Sequence, residues 1–417
     1  MMHINILPRE LIGVISNSLQ LEDAIELGKT NKQFLTNLSR ADFGYKVNHF
    51  MDINTILDVD YSNENKIARR KQYVMGNCKH IRVESLDELS HSQILWPSLT
   101  HLTFYNFNQS IDIVKFPQTL TYLAFGYSFN QSVDNLILPQ SLTHLDFGSN
   151  FNQSIDNLIL PQSLTHLTCR FDKSMDHFQL PQSLTHLILG NCFDQPIDNL
   201  KLHLQLSLTH LTFGYAFNQS VDNLKLPVTL THLTFGSYFN QSVDNLKLPA
   251  SLTHLTFGYN FNQSVDNLKL PESLKRLKFR SEFNQSVDNL KLPQSLTHLT
   301  FGNEFNQFVD KVVLPQSLTH LTFGSKFNNP IESLQLQLKL SLTHLVFGFY
   351  FNQSVNNLKL PQSLRYLTFG YHFNQSIDNL KLPQSLQHLT LSVNFKQSVD
   401  HLSSLSQSSP HLIIRRK

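Results

Sequence analysis

The sequence has few of the residues that indicate a secreted, membrane-bound or nucleic-acid-binding protein. Its 417 residues include only 3 cysteines, and none belongs to a CxxC pair, so a reducing compartment is favoured. Charged residues make up 15% and the net charge is +2, which gives no basic or acidic field for nucleic acid or a membrane surface. No apolar run approaches the ~20 residues of a membrane span, and the N-terminus lacks the regions of a secretory signal. We therefore expect a cytoplasmic protein with neither a membrane nor a nucleic-acid partner.

Phenylalanine and histidine, by contrast, are abundant, with 32 and 20 copies. The phenylalanine excess comes from a motif, FNQSVDNLKLPxSLTHLTFGxx, that recurs from about Pro97 to the C-terminus. Ten of the thirteen spacings between its leading phenylalanines are 22 residues, one is 20 and two are 24. These are Phe107, Phe129, Phe151, Phe171, Phe193, Phe217, Phe239, Phe261, Phe283, Phe305, Phe327, Phe351, Phe373 and Phe395. The regularity predicts a solenoid in which each repeat forms one coil and buries its apolar side chains against its neighbours.

The pattern within one repeat predicts two short strands per coil. Apolar and polar residues alternate at the end of the segment 252–257, as expected for a strand. The segment 243–248 predicts a second strand, which Pro249 would end because proline cannot donate to a ladder. Seven side chains per coil are expected to point inward. Gly258 follows the first strand, where a positive φ or a close backbone approach is expected.

One column of outward-facing residues is mostly histidine. The residue before the inward leucine of the first strand is His in eleven of the fourteen coils, and neighbouring coils should lie ~4.8 Å apart. A mostly threonine column runs beside this predicted histidine ladder. The candidate partner-binding residues on this face are His144, His166, His210, His232, His254, Arg276, His298 and His320.

Three interpretations of the histidine column stay open. The first is tolerated surface residues multiplied by repeat duplication, and the second is a partner-binding face, since repeat proteins use long regular surfaces in this way. Zinc is the least supported, because imidazoles in a line do not form a tetrahedral set and no Cys or Glu joins them. Aligned imidazoles should resist becoming charged together, so acidification is expected to weaken or alter binding there.

The repeated polar residues do not predict an enzyme. Asp, Asn and Lys are copied in nearly every coil, whereas catalysis needs one pocket with differentiated roles. Asn-Gln-Ser recurs nine times and formally matches a glycosylation acceptor. We expect instead that the asparagine side chain bonds to backbone in a turn and stacks coil upon coil. No catalytic residue, metal or cofactor is predicted.

Before the repeats, the sequence has a helical pattern. Pro8 stands near a first helical turn, and Leu11, Ile15 and Leu19 recur at i, i+4 and i+8. Two further short amphipathic segments follow within residues 21–35. Three such helices form too small a core to be stable alone, so their surplus apolar residues are available to a partner.

Two family resemblances follow from these motifs. Residues 6–11 (Ile-Leu-Pro-Arg-Glu-Leu) and 30–34 (Thr-Asn-Lys-Gln-Phe) resemble the F-box motif, which opens on Leu-Pro-x-Glu-Leu and closes on a Lys with a following aromatic. The coils resemble FNIP repeats, named for a Phe-Asn-x-x-Ile/Pro core that residues 327–331 and 193–197 match best. Most coils have Ser where that family often has Pro. Together the motifs resemble the F-box/FNIP-repeat proteins of social amoebae and the giant viruses of amoebae.

The resemblance implies a substrate-recognition subunit of a cullin–RING ubiquitin ligase. An F-box-like module would bind a Skp-type adaptor through Leu7, Pro8, Leu11 and Ile15, and the repeats would hold an unidentified protein substrate. The compartment would be the cytoplasm, or the host cytoplasm for a viral protein. The alternative is an interaction scaffold without a ligase role, in which the helical module only caps the solenoid.

The predicted fold class is therefore α+β, with a small N-terminal α-helical F-box-like module followed by a leucine-rich-repeat-like parallel β-solenoid. The predicted parts are the F-box-like module at 1–40, a linker with a degenerate capping coil at 41–95, the repeat solenoid at 96–402 and a tail at 403–417. Residues 78–83 match the strand motif and are assigned to the capping coil. Fourteen coils at ~4.8 Å would make a rod of about 65 Å.

Overall fold

A computed structural model describes residues 51–52, 79–83, 98–175, 178–331, 341–399 and 413–416. Within these ranges lie seventeen short strands, most of them separated by one 22-residue coil. They are β1 (Met51–Asp52), β2 (His80–Val83), β3 (His101–Phe104), β4 (Tyr122–Phe125), β5 (His144–Asp146), β6 (His166–Cys169), β7 (His186–Leu189), β8 (His210–Phe213), β9 (His232–Thr234), β10 (His254–Thr256), β11 (Arg276–Lys278), β12 (His298–Thr300), β13 (His320–Thr322), β14 (His344–Val346), β15 (Tyr366–Thr368), β16 (His388–Leu391) and β17 (Ile413–Arg416).

The strands form one parallel sheet in chain order, because each pairs with the strand of the next coil. The register is constant: Leu255 of β10 aligns with Leu233 of β9 and with Leu277 of β11. A fixed register follows from the repeat, since a slip by one residue would turn every buried leucine to the other face. The coils therefore stack as the 22-residue spacing predicts.

The predicted α+β fold is wrong. In the residues that the structure describes, the chain is an all-parallel β-solenoid without an α-helix, and helical geometry is limited to 3-10 turns at Asp198–Leu200 and Leu202–Leu204. The α-helical module predicted at 1–40 lies outside the described residues. Each coil consists of one strand and several tight turns. No described segment between them is as long as the three turns of an average helix.

The second strand predicted in each coil is also wrong. Residues 243–246 form a turn, in which the Leu246 N–H donates to the Val243 carbonyl at 3.2 Å. The Asp244 N–H donates to Ser242 Oγ at 3.2 Å. Ser, Asp and Asn favour such local bonds over a ladder, so only one isolated bridge, between Lys225 and Lys247, forms on this side in the described residues.

The predicted core is confirmed. All fourteen leading phenylalanines are at most 3% exposed. The ring of Phe261 lies 5.9 Å from that of Phe239 and 6.0 Å from that of Phe283, and it stacks on Phe257 at 4.2 Å. Offset aromatic stacking at these distances adds to the free energy gained from area burial. The phenylalanine excess therefore forms a core stack in two runs, from Phe107 to Phe171 and from Phe193 to Phe395.

The corner beside this stack is held by asparagine. The Asn262 N–H donates to Asn240 Oδ1 at 2.9 Å, and Gln263 Nε2 donates to the same oxygen at 3.1 Å. The prediction that these asparagines bond to backbone from coil to coil is confirmed. Where the column contains Asp172 the bond survives, with the Asp194 N–H donating to its Oδ1 at 3.0 Å, so the position requires an acceptor rather than an amide.

The close backbone approach expected at Gly258 is confirmed. A Cβ added there would lie 1.7 Å from the Gly236 carbonyl oxygen. The glycine that follows most strands therefore allows two coils to meet closely at this corner, although Arg170 and Arg280 occupy the same column in two coils.

The longer coil that begins at Phe193 takes up its extra residues in a corner. Both 3-10 turns lie there, and Leu204 and Leu206 are 51% and 65% exposed. The sheet is undisturbed, because His186 of β7 still aligns with His210 of β8. An insertion at a corner therefore changes the outline of a coil without breaking the stack.

At the two ends, additional strands extend the sheet. β2 pairs with β3 so that His80 aligns with His101, and β1 pairs with β2. β17 pairs with β16, which places Ile413 beside His388. Within the described ranges, no helix has the length and apolar character needed to cross a bilayer.

Candidate interaction surface

The most regular chemistry lies on the outer side of the parallel sheet. We call it the sheet face and define it by four columns, aligned with Thr253, His254, Thr256 and Gly258. Along β10, His254 and Thr256 are half-buried and Leu255 between them is buried, so the prediction that the histidine and threonine columns point outward is confirmed.

The histidine rings of the sheet face stack on one another. Between adjacent coils their centroids lie 4.0–4.2 Å apart with interplanar angles of 9–13°. Of the predicted binding residues, five belong to one continuous stack together with His186, two belong to a second stack with His344, and one separates the two stacks. These are His144, His166, His210, His232 and His254, then His298 and His320, and finally Arg276. The predicted ladder is therefore present, at slightly closer ring spacing than the ~4.8 Å between strands.

Each ring is oriented by the threonine before it. Thr253 Oγ1 donates to the Thr231 carbonyl of the previous coil at 3.0 Å and lies 2.8 Å from His254 Nδ1. A hydroxyl has one proton, so an oxygen that donates to a carbonyl can only accept from the ring. The network therefore assigns the proton to Nδ1 and leaves Nε2 as an acceptor. The same contact at 2.8–2.9 Å recurs at ten histidines of the column.

The stacked rings resist protonation. Burial lowers the pKa of each of these ten histidines, and neighbouring cations add to the effect at most of them. The pKa values of His166 and His210 are lowered to about 4, first by burial and then by the adjacent histidines. At neutral pH the column is therefore an uncharged row of imidazoles with Nε2 acceptors.

The stack changes character near Tyr122. This ring lies 5.9 Å from that of His144 and is tilted by 35°. Beside it, Arg170 pairs with Asp146 at 3.1 Å across the face, and a shallow depression opens between Tyr122 and Ile188. Neighbouring coils have nearly identical sequences, so this ion pair makes one part of the face chemically distinct.

A second irregularity is a group of cations. On the coil of β11, every outward position is basic and exposed, and we call these four residues the cation coil. They are Lys275, Arg276, Lys278 and Arg280. Arg276 was predicted from the sequence to be a binding residue, whereas Lys275 and Arg280 on the same coil were not. The signal was present, because one coil changes all its outward positions while it keeps Leu277 and Phe279 in the core.

The predicted adaptor-binding site cannot be placed, and the described residues contain no metal site. Leu7, Pro8, Leu11 and Ile15, the adaptor-binding candidates, lie outside the described residues. In the described part of the chain, no group of three or more His, Cys, Asp or Glu side chains is placed to hold a metal ion. Rings stacked face to face direct their lone pairs in parallel rather than toward one point, which agrees with this finding.

Comparison with known proteins identifies the repeats. The FNIP Repeat family model matches residues 91–168 and 204–403 in ten segments. Among solved structures, the giant-virus protein CroV588, described as a circular leucine-rich-repeat protein, is 45% identical with a TM-score of 0.66. The match covers 78% of this chain and 48% of CroV588, so the chain spans about half the length of that relative.

Two other solved structures show a more distant similarity. The internalin InlF of Listeria monocytogenes is 19% identical with a TM-score of 0.45, over 68% of this chain and 83% of its own. YopM of Yersinia enterocolitica is 18% identical with a TM-score of 0.38, over 75% of this chain and 62% of its own. A search of curated protein sequences finds no significant match.

Proposed function

Since this chain belongs to the FNIP repeat family, we propose that it is a non-catalytic scaffold that binds a protein partner on its sheet face. The observation that carries the proposal is the histidine and threonine columns, which run in constant register along the sheet and are only partly buried. Repeat solenoids bind partners through such extended surfaces. A catalytic role would need differentiated groups in one pocket, whereas these columns repeat the same groups.

The sheet face is preorganised for binding. Each ring is held by a stacked neighbour and by a threonine hydroxyl, so little side-chain entropy remains to be lost when a partner docks. Because the rings are uncharged at neutral pH, the face recognises hydrogen-bond donors and shape rather than charge along most of its length.

Site-specific crosslinking tests this function. A photoreactive amino acid at Thr256, on the sheet face, is expected to crosslink one protein from amoebal cytosol in at least about tenfold higher yield than the same residue at Lys247, on the opposite side of the same coil. Lys247 is exposed, so it controls for random collision. Equal yields at the two positions, or crosslinks from Lys247 alone, would show that the sheet face is not the binding surface.

A ligase role is the more specific form of this proposal. It is supported by the resemblance of residues 6–34 to an F-box, and it assigns Leu7, Pro8, Leu11 and Ile15 to a Skp-type adaptor in the cytoplasm. Segment 1–40 would bind the adaptor and 96–402 would hold the target, which raises the effective concentration of target at the ligase. We expect adaptor from host cytosol to co-purify with the wild type and to be lost with Leu7→Ala/Pro8→Ala. An intact chain that recovers no adaptor leaves the scaffold without a ligase role.

A further inference from the structure

We propose that the cation coil is a docking site for an acidic segment of the partner protein. This inference rests on the proposed function, because it names the chemistry of one part of the sheet face. The four residues of the cation coil occupy the four columns that define that face, and all four side chains are exposed.

The cation coil differs from both neighbouring coils at every outward position. In the coils before and after it, the same columns contain threonine, histidine, threonine and glycine. The inward residues did not change, since Leu277 and Phe279 are each 1% exposed like their counterparts Leu255 and Phe257. A substitution pattern that alters the surface and spares the core changes the surface chemistry of this coil without a change in its core packing.

The four cations have no internal counter-ion. Among the described residues, no carboxylate lies within salt-bridge distance of any of them. Three other cations of the described solenoid are paired: Lys311 with Asp288 at 3.1 Å, Lys326 with Glu304 at 2.6 Å, and Arg170 with Asp146 at 3.1 Å. The last pair is informative, because Arg170 occupies the column of Arg280, and Asp146 occupies the column of Lys278.

The columns beside the cation coil leave it open to an external anion. Beside Arg170, the column of Lys278 contains Asp146, which neutralises the arginine. Beside the cation coil, the same column contains Thr256 and Thr300, which have no charge. His254 and His298 on either side keep lowered pKa values, caused first by burial and then by Arg276, so they are neutral at pH 7. The positive charge is therefore confined to a stripe one coil wide.

The spacing of the cations suits an extended acidic peptide. Arg276 and Lys278 lie two residues apart on one strand, about 6.6 Å, which is also the distance between alternate side chains of an extended peptide. Arg280 follows two residues later in the sequence. A segment with Asp or Glu at every second position can therefore place its carboxylates on these three cations, and arginine binds a carboxylate in a bidentate manner.

The extent of the patch favours a protein partner over nucleic acid. Nucleic-acid binding uses many phosphate contacts along a basic surface, and its affinity scales with their number. On the sheet face, the coils next to the cation coil contribute no cation in these columns, and the whole chain has a net charge of +2. A short cluster of carboxylates matches this charge distribution.

Reversion of the cation coil tests the proposal. The variant Lys275→Thr/Arg276→His/Lys278→Thr/Arg280→Gly restores the sequence of the coil before it, which folds in this chain. Binding of a fluorescent peptide with alternating Asp and Glu is measured by anisotropy with the full chain at low salt. We expect the reverted variant to bind at least about tenfold more weakly than the wild type, with a weaker salt dependence.

A charge-matched control is provided by the opposite side of the solenoid. Lys225→Gln/Lys247→Gln/Lys269→Gln/Lys291→Gln also removes four positive charges and is expected to bind the peptide like the wild type. The inference is overturned by equal binding of the reverted variant and the wild type, by an equal loss in the control, or by duplex DNA that binds the cation coil more tightly than the peptide. Crosslinking from Thr256 tests the sheet face independently of the peptide. If Thr256 still crosslinks a partner but the acidic peptide does not bind, only the acidic docking site is rejected and the proposed function stands.

Discussion

Phe261→Ala is expected to destabilise the solenoid by about 3–5 kcal/mol, because it empties one position of a continuous aromatic stack. Phe261 is fully buried and contacts the rings of Phe239, Phe257 and Phe283. The neighbouring coils cannot close the gap without a shift of the backbone. The measurement is the midpoint of urea denaturation followed by circular dichroism, together with the thermal midpoint.

Phe308→Ser is the matched control for this substitution. Phe308 is 61% exposed and occupies the column in which the preceding coil has Ser286. We expect its effect on unfolding free energy to stay within about 0.5 kcal/mol. A small effect of Phe261→Ala, comparable to that of Phe308→Ser, would contradict the assignment of the phenylalanine column to the core.

Acidification from pH 7.5 to 5.0 is expected to destabilise the chain. The pKa values of ten stacked histidines are lowered in the folded state, to about 4 at His166 and His210 from an ordinary value of 6.5. Between those values the unfolded chain binds more protons, so stability is complete above pH 6.5 and is lost as the pH falls toward 4. The rings are partly exposed, and solvent screening reduces each contribution to a few tenths of a kcal/mol. Summed over ten groups, this is about 3 kcal/mol, or about 3 °C in Tm for a chain of this length.

His166→Tyr/His210→Tyr tests whether the stack causes this pH dependence. Tyrosine is native to the column: Tyr366 stacks on His344 at 4.3 Å and on His388 at 4.6 Å. It does not titrate in this range, so the variant should show a smaller decrease in Tm between pH 7.5 and 5.0. Calorimetry in matched ionic strength gives the comparison. An unchanged slope would assign the acid sensitivity to other groups.

The repeat architecture was predictable because every coil has the same pattern of apolar residues to bury. The 22-residue spacing gave the stack, the alternation around Leu255 and Phe257 gave the strand, and the histidine column gave the outward ladder. Identical residues in equivalent positions must meet identical surroundings in a solenoid. Local chemistry at Asn262 was also predictable, since an asparagine in a turn bonds to nearby backbone.

Other features could not be predicted from the repeat pattern, because local hydrogen bonds compete with strand pairing. Residues 243–248 alternate like a strand, yet Ser242 and Asp244 close a turn there. The threonine–histidine bond was missed because it needs the carbonyl of the previous coil to fix the proton of Thr253. The α+β prediction failed because it extended a helical pattern at residues 8–35, outside the described residues, to the class of the whole chain.

Binding of a protein to the sheet face is tested most directly by the affinity of the crosslinked partner. The partner, once isolated, is titrated by calorimetry against the wild type, against Thr234→Glu/Thr300→Glu on the sheet face, and against Asp244→Lys/Asp266→Lys on the opposite side. Thr234 and Thr300 are half-buried outward residues, whereas Asp244 and Asp266 are exposed at the turn. A Kd at least about tenfold weaker for the threonine variant alone is the predicted result. A Kd unchanged in that variant, or weakened only in the aspartate variant, would contradict binding of a protein to this face.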